Sequence, residues 1–194
     1  MEIGATKAVQ DRLKTTKIEE SKGASLVFCW DTHLTKIKGR NVLFIVNASN
    51  RYTLAMTDIE PRNWNYYTMY IRSVIHGVMQ EMGYSEDQIG QYFKMSGDTT
   101  VTKTHGRKSV GGINRMVMDA QYFGKKLEKE AKYQWELSKY LNRDICQPEG
   151  FDAYGYPSEL FKLDMERLGI AAKREPAKVI DFAQYIENNR GTND

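Results

Sequence analysis

The sequence predicts an α+β fold, with an antiparallel β-meander of three to five strands packed against helices, then a long helix and a helical C-terminal extension. Two observations lead to this prediction. Apolar and polar residues alternate along much of the chain before Pro61, whereas apolar residues after Pro61 recur every three or four positions. Strands followed by a run of helices are typical of the α+β class. A chain of 194 residues is long enough for one domain with an extension.

The first part of the chain supplies most of the strands. Residues 2–5 form a short candidate strand, and residues 7–14 a candidate helix. Residues 24–37 alternate between two faces, with Leu26, Phe28, Trp30, Thr32 and Leu34 on one and Cys29, Asp31 and His33 on the other. Residues 42–47 are continuously apolar, as in a strand covered on both faces, and residues 52–57 alternate again. Short turns join these three strands, which indicates an antiparallel meander.

Helical patterns dominate after Pro61. An amphipathic helix ends at Gly83, and Ser85 with Gln88 three positions later forms a capping box that starts a short helix. Residues 99–104 are rich in threonine and valine and read as a fourth strand. Residues 109–142 follow a mostly helical pattern that several glycines weaken.

A stretch rich in proline and glycine suggests a boundary within the chain. Residues 147–157 contain two prolines and two glycines, which is typical of a loop or linker. The sequence therefore predicts a main α+β domain over residues 1–146 and a helical C-terminal extension over residues 147–194. Within that extension, residues 158–168 and 177–189 show helical patterns.

Composition limits the function without defining it. The 28 basic and 25 acidic residues leave a net charge of only +3, although residues 103–144 alone carry an excess of five positive charges. The two cysteines are far apart and predict free thiols in a reducing compartment. The longest apolar run, residues 42–46, is too short to cross a bilayer, and the N-terminus lacks a secretory pattern. We therefore expect a cytoplasmic protein with no membrane partner.

A basic strand-to-helix turn is the strongest candidate for a binding site. Free N–H groups at a helix start attract anions, and an arginine can bind a phosphate or carboxylate with two hydrogen bonds. The spacing of the turn matches neither a Walker A loop nor a GxGxxG motif. The alternative is an ordinary capped helix with a solvated basic turn, which is the commoner situation. The predicted anion-binding residues are Lys103, Arg107, Lys108, Ser109, Asn114 and Arg115.

Catalytic and metal-binding patterns are weak. His105 beside Ser109 suggests an acid–base centre, and Asn47 together with His105 is a candidate pocket. The three histidines show no metal-ligand spacing, so we expect neither a metal nor another cofactor. Because no candidate catalytic group has a recognisable partner, the sequence favours a binding protein over an enzyme.

Three segments resemble an uncharacterised bacterial family, a domain of unknown function with ATxxL-type, LFVNxxT-type and TxxRSVxGxxN-type elements. Here they read IGATKAVQDRL, NVLFIVNASNRYTL and TKTHGRKSVGGINRMVMD, and the resemblance covers roughly residues 1–123. Lys108 stands as an extra residue in the third element, and the family has no established activity to carry over. The resemblance implies either a working site or fold-defining turns and caps at Thr6, Asn47, Arg107, Ser109, Gly111 and Asn114.

Three functions remain open at this point. The first is a non-enzymatic binding or regulatory protein, whose partner is an anionic ligand, a nucleic acid or another protein. The second is an enzyme acting on a phosphorylated or nucleotide substrate. The third is a protein-interaction factor of a phage or mobile element. The local excess of positive charge and the lack of a catalytic constellation favour the first.

Overall fold

The structure is a computed structural model that describes residues 1–15 and 18–173. Five strands form one sheet: β1 (Glu2–Ala5), β2 (Cys29–Ile37), β3 (Arg40–Asn47), β4 (Thr53–Thr57) and β5 (Thr100–Thr102). Their order across the sheet is β4–β3–β2–β1–β5. β2 begins later than the alternation over residues 24–37 predicts, because Leu26–Phe28 form a 3₁₀ turn.

The sheet is mixed, which corrects the prediction of a purely antiparallel one. β2, β3 and β4 form the predicted antiparallel meander. β1 lies between β2 and β5 and runs parallel to both. The period-2 pattern could not show this, because alternation reports which face a side chain occupies and not the direction of the neighbouring strand. Parallel neighbours need long crossover connections, and here helical segments supply them.

Seven α-helices lie within the described residues: α1 (Lys7–Leu13), α2 (Pro61–Asn65), α3 (Tyr67–Glu81), α4 (Glu86–Ser96), α5 (Gly106–Gln121), α6 (Trp135–Leu141) and α7 (Pro157–Arg167). The capping box of Ser85 and Gln88 is present at the start of α4, as predicted. None of these helices combines the length and the apolar character that a membrane span requires. The second helix predicted in the C-terminal extension, over residues 177–189, lies outside the described residues.

The long helix predicted over residues 109–142 is wrong, because the chain forms two separate helices there. Between α5 and α6 it runs along the open edge of β4, where the Thr57 N–H donates to the Lys132 carbonyl at 2.7 Å. The Gln134 N–H donates to the Ala55 carbonyl at 2.8 Å. These bonds occupy backbone groups that the edge strand would otherwise expose, so pairing with the sheet replaces the helix.

The two faces of the sheet carry separate apolar cores. On β3, Leu43 and Ile45 face the core shared with α3, α4 and α7. Val42, Phe44 and Val46 face the other core, shared with α5 and α6. Helices thus cover both faces of β3, as its continuous apolar run predicts.

Helix α7 contributes to the first of these cores. Phe161 is buried, with its ring 5.2 Å from that of Tyr52 and 6.1 Å from that of Trp30. Asn50 Nδ2 donates to Asp164 Oδ2 at 2.9 Å. These contacts place part of the predicted extension, residues 147–194, against the main sheet. Whether residues 1–146 fold without the extension is a separate question, so the predicted division into two parts stays a prediction.

Candidate functional site

The register of β1 and β2 brings the side chains of Glu2, Cys29 and Asp31 together at one point of the sheet. The parallel pairing of β1 with β2 sets Glu2 beside Cys29 and Gly4 beside Asp31. Because residues two apart on a strand share a face, Cys29 and Asp31 project to the same side, and their neighbour Glu2 projects with them. All three residues are buried. The start of α5 covers this position from above the sheet.

His105, the residue immediately before α5, lies between two carboxylates. Its Nδ1 is 2.7 Å from Asp31 Oδ1, and its Nε2 is 3.0 Å from Glu2 Oε2. The imidazole is only 3% exposed, and the carboxylate of Asp31 is fully buried. Both ring nitrogens therefore donate to carboxylate oxygens in a site closed to solvent.

Opposing effects set the protonation of this cluster. Burial by itself lowers the pKa of His105, but hydrogen bonding with Asp31 and Cys29 and the negative charge of Asp31 outweigh burial and raise the pKa to about 10. Burial by itself raises the pKa of Glu2, but hydrogen bonds from Ser21 Oγ, the Lys22 N–H and His105 hold that pKa below its usual value. The imidazolium and the Glu2 carboxylate are thus the stable forms at neutral pH.

Asp31 occupies the N-terminus of α5. Its carboxylate accepts from the His105 N–H at 3.2 Å and 3.3 Å, and it also accepts from the Ser109 hydroxyl. The start of the helix thus holds an anion, as the basic turn suggests, but that anion is a carboxylate of the same chain. Ser109 is buried, and its hydroxyl donates to Asp31 rather than to His105.

Three other residues of the predicted anion site lie away from Asp31 and His105. Arg107 and Asn114 are exposed and seven positions apart, so they share the outer face of α5. Lys103 forms an ion pair with Glu20 outside the helix. The structure therefore brings neither Arg107 nor Asn114 into contact with His105 or with the two carboxylates beside it.

Lys108 and Arg115 do lie together, in a groove beside α5 with a volume of about 250 Å³. We call this the basic groove; its lining includes Arg51, Lys108, Gly112, Arg115, Gln147 and Glu149. Nη2 of Arg51 donates to the Gly112 carbonyl at 3.0 Å. Nζ of Lys108 is 3.9 Å from Oε2 of Glu149, and Nε of Arg115 is 3.3 Å from Oδ1 of Asp119.

Asn47 belongs to a turn and not to a pocket with His105. Its Nδ2 donates to the Val27 carbonyl at 2.9 Å. Its Oδ1 accepts from the N–H groups of Ser49 and Asn50 at 3.0 Å and 3.3 Å. These contacts shape the β3–β4 turn. Of the two roles that the family resemblance implies for Asn47, a working site or a fold-defining turn, they support the turn.

A family model described as a domain of unknown function (DUF6933) matches residues 2–160. The chain belongs to this family. The sequence resemblance to an uncharacterised family is thereby confirmed, and the DUF6933 match extends past residue 123 into α7. No curated protein and no solved structure matches the chain.

Sequence reasoning missed most of the buried cluster that this DUF6933 chain contains. Glu2, Cys29 and His105 offer ligand-type atoms that all lie within 4.8 Å of one another, and Asp31 adjoins them. They are separated by tens of residues, so spacing gave no signal. The only hint was that Cys29 and Asp31 alternate onto one face of a strand. Arg51 was also missed, because it stands alone in a turn, where its φ is 61°.

Proposed function

We propose that this protein is a non-catalytic binding protein that holds a small anionic group in the basic groove. One observation carries the proposal: three cationic side chains line a single groove, Arg51 from the β3–β4 turn and Lys108 and Arg115 from α5. Glu149 is the one acidic residue that lines it among the described residues. Convergent cations with a fork-shaped donor are the usual means of recognising phosphate or carboxylate groups.

The contacts within the basic groove leave room for a ligand. The bond from Arg51 to the Gly112 carbonyl fixes the guanidinium group before any ligand arrives, which reduces the entropy lost on binding. Lys108 is 51% exposed, and its pair with Glu149 is long. Exposed ion pairs of this kind contribute little to stability, so an anionic ligand can displace Glu149 at small cost.

The size and charge of the groove favour a small anion over nucleic acid. Its volume of about 250 Å³ suits a phosphate or carboxylate group with a few attached atoms. The net charge of +3 is modest, and Lys125 and Lys132, outside the groove, already pair with carboxylates of the chain. A nucleic-acid surface needs a longer run of unpaired cations.

The contacts of the predicted catalytic residues support binding over catalysis. An enzyme built on His105 and Ser109 needs the two side chains to meet at a substrate. The hydroxyl of Ser109 instead donates to Asp31, and the imidazole of His105 is closed to solvent. Asn47 is occupied in its own turn.

Titration with inorganic pyrophosphate, followed by backbone amide NMR shifts, tests the proposal. We expect saturable shifts in the first turns of α5 and around Arg51. Lys108→Ala and Arg115→Ala should each weaken binding about ten-fold or more, because each removes a charge-assisted contact worth roughly 1.5–3 kcal/mol. Lys94→Ala is the matched control, since Lys94 is exposed on α4, which packs on the opposite face of the sheet.

Two outcomes contradict the proposal. One is the absence of saturable shifts in α5, and the other is an equal loss of binding in the Lys94 variant. A 20-base-pair DNA duplex should bind more weakly than pyrophosphate in the same buffer. Tight binding of that duplex, falling steeply with added salt, replaces the small anion with nucleic acid as the ligand.

A further inference from the structure

The buried cluster at the start of β1 contains three side chains that differ in donor atom. Glu2 supplies a carboxylate oxygen, Cys29 a sulfur and His105 a ring nitrogen, and these atoms lie within 4.8 Å of one another. Each side chain comes from a different element, so only the tertiary fold assembles them. We propose that Glu2, Cys29 and His105 are the protein ligands of a zinc site.

The donor set selects the class of metal. Zinc binds thiolate sulfur, imidazole nitrogen and carboxylate oxygen with bonds of roughly 2.0–2.3 Å, so small side-chain shifts bring all three onto one ion. Calcium and magnesium prefer sites made only of oxygen, which Cys29 and His105 do not offer. With three protein ligands, a tetrahedral ion keeps one position for water.

The residues around the ligands already hold them in the required orientation. Asp31 accepts the Nδ1–H of His105, which leaves Nε2 as the nitrogen that faces Glu2. A carboxylate behind a ligating histidine is the usual partner in zinc sites, because it fixes the ring and makes the nitrogen a stronger ligand. Ser109 and the His105 N–H hold Asp31 in turn, and Ser21 and the Lys22 N–H hold Glu2.

The charges of the cluster are compatible with a bound zinc ion. Glu2 and Asp31 are both buried, and among the described residues neither forms an ion pair with a lysine or an arginine. His105 is therefore the one basic side chain in contact with the two carboxylates. Exchange of the His105 and Cys29 protons for Zn²⁺ leaves the net charge of the cluster unchanged, so the buried site needs no further counter-ion to hold the metal.

Zinc binding is an exchange of protons for metal with no redox change. The ion replaces the proton on His105 Nε2 and the thiol proton of Cys29, and both protons pass to the solvent. The thiol gives up weak contacts to the carbonyls of Ala24 and Ser25, at 3.7 Å and 3.5 Å. Three bonds form, from zinc to sulfur, to nitrogen and to a Glu2 oxygen.

None of these ligands lines the basic groove, so the zinc site is independent of the proposed function.

Cobalt substitution tests the site on the full chain. We expect Co²⁺ to produce a thiolate-to-cobalt charge-transfer band in the near ultraviolet, which added Zn²⁺ abolishes with a Kd below about 1 μM. Cys29→Ser should remove the band. Cys146→Ala is the matched control and should keep it, because Cys146 is the other buried free cysteine. Asp31→Asn should weaken metal binding about 10–100-fold while leaving the band in place.

A second measurement covers the case in which Cys29→Ser fails to fold. In the wild-type protein, the ¹⁵N resonance of His105 Nε2 should shift on addition of Zn²⁺, while Nδ1 remains protonated against Asp31. The proposal is overturned if the wild-type protein shows no charge-transfer band. It is also overturned if Cys146→Ala removes the band, or if the resonances of His105 do not respond to zinc.

Discussion

Gly4 leaves the space that the carboxylate of Asp31 occupies: a Cβ added at Gly4 would lie 1.8 Å from Asp31 Oδ1. The two residues are neighbours across the parallel pair of β1 and β2. The same Cβ would lie 3.0 Å from the Cα of Thr104, so the backbone on the other side offers no room either. The position of the buried cluster therefore depends on the absence of a side chain at residue 4.

Gly4→Ala should displace Asp31 and break its contacts with His105 and Ser109. Separating a buried charged pair typically costs about 3–5 kcal/mol, so we expect a loss of roughly that size in the free energy of unfolding. Chemical denaturation followed by circular dichroism measures it.

The matched control is Gly111→Ala in α5, because a Cβ there meets no atom within 4 Å. That change should stabilise the protein by roughly 0.5–1 kcal/mol, the usual gain from alanine over glycine inside a helix. Equal effects of the two substitutions would show that Gly4 does not make room for Asp31.

Phe161 provides a test of how α7 contributes to the core. Phe161→Ala should destabilise the protein by about 3–5 kcal/mol, because it leaves a cavity beside Trp30 and Tyr52. Leu163, on the same helix, is 39% exposed, and Leu163→Ala should change stability by no more than about 0.5 kcal/mol. Thermal unfolding of the two variants compares them directly.

A chain that ends at residue 146 tests the predicted division into domain and extension. Because the truncation removes Phe161 and Met165 from the core, we expect the fragment to lose cooperative unfolding. A fragment that unfolds cooperatively near the melting temperature of the full chain would support the division at residue 147 instead.

Two tyrosines differ in whether their buried hydroxyl has a partner. The Tyr92 hydroxyl accepts from Trp30 Nε1 at 2.9 Å and donates to the Val27 carbonyl at 2.7 Å. Tyr92→Phe should therefore cost about 1–3 kcal/mol, since it leaves the indole N–H buried without an acceptor. The Tyr70 hydroxyl has no hydrogen-bond partner among the residues that the structure describes, so Tyr70→Phe should be neutral or stabilising. Urea denaturation distinguishes the two, and similar losses in both would contradict this account.

The buried carboxyl of Asp164 should make the stability of the protein depend on pH. Burial raises the pKa of this carboxyl above its usual 3.8, and hydrogen bonds from Asn50 and Ser49 and the charge of Arg167 only partly oppose the effect. The folded protein therefore binds this proton more tightly than the unfolded chain does. The contribution of Asp164 to the free energy of unfolding should fall as pH rises from 3.8 through the raised folded pKa.

Asp164→Asn should remove that decline, because the amide does not ionise and still accepts the hydrogen bond from Asn50. Denaturation curves of the variant and the wild-type protein, compared between about pH 4 and pH 7, isolate the contribution of this carboxyl. An identical pH dependence in the two proteins would rule out a raised pKa at Asp164.

Much of the fold was predictable because it rests on local patterns. The alternation before Pro61 predicts the meander of β2, β3 and β4, and the capping box at Ser85 predicts the start of α4. The parallel position of β1 was not predictable, since a four-residue strand gives no indication of its neighbours. The break between α5 and α6 depends on backbone bonds of Thr57 and Ala55 with distant residues.

The sequence by itself determined that strands precede helices, that a basic turn leads into α5, and that the chain resembles a family of unknown function. Each of these follows from residues close together in the chain, where periodicity and turn chemistry act. Only the tertiary structure decided that Asp31 occupies the start of α5, and that Glu2 and Cys29 meet His105 there. Strand register and helix placement bring these side chains together, and both depend on packing between segments that lie far apart in sequence.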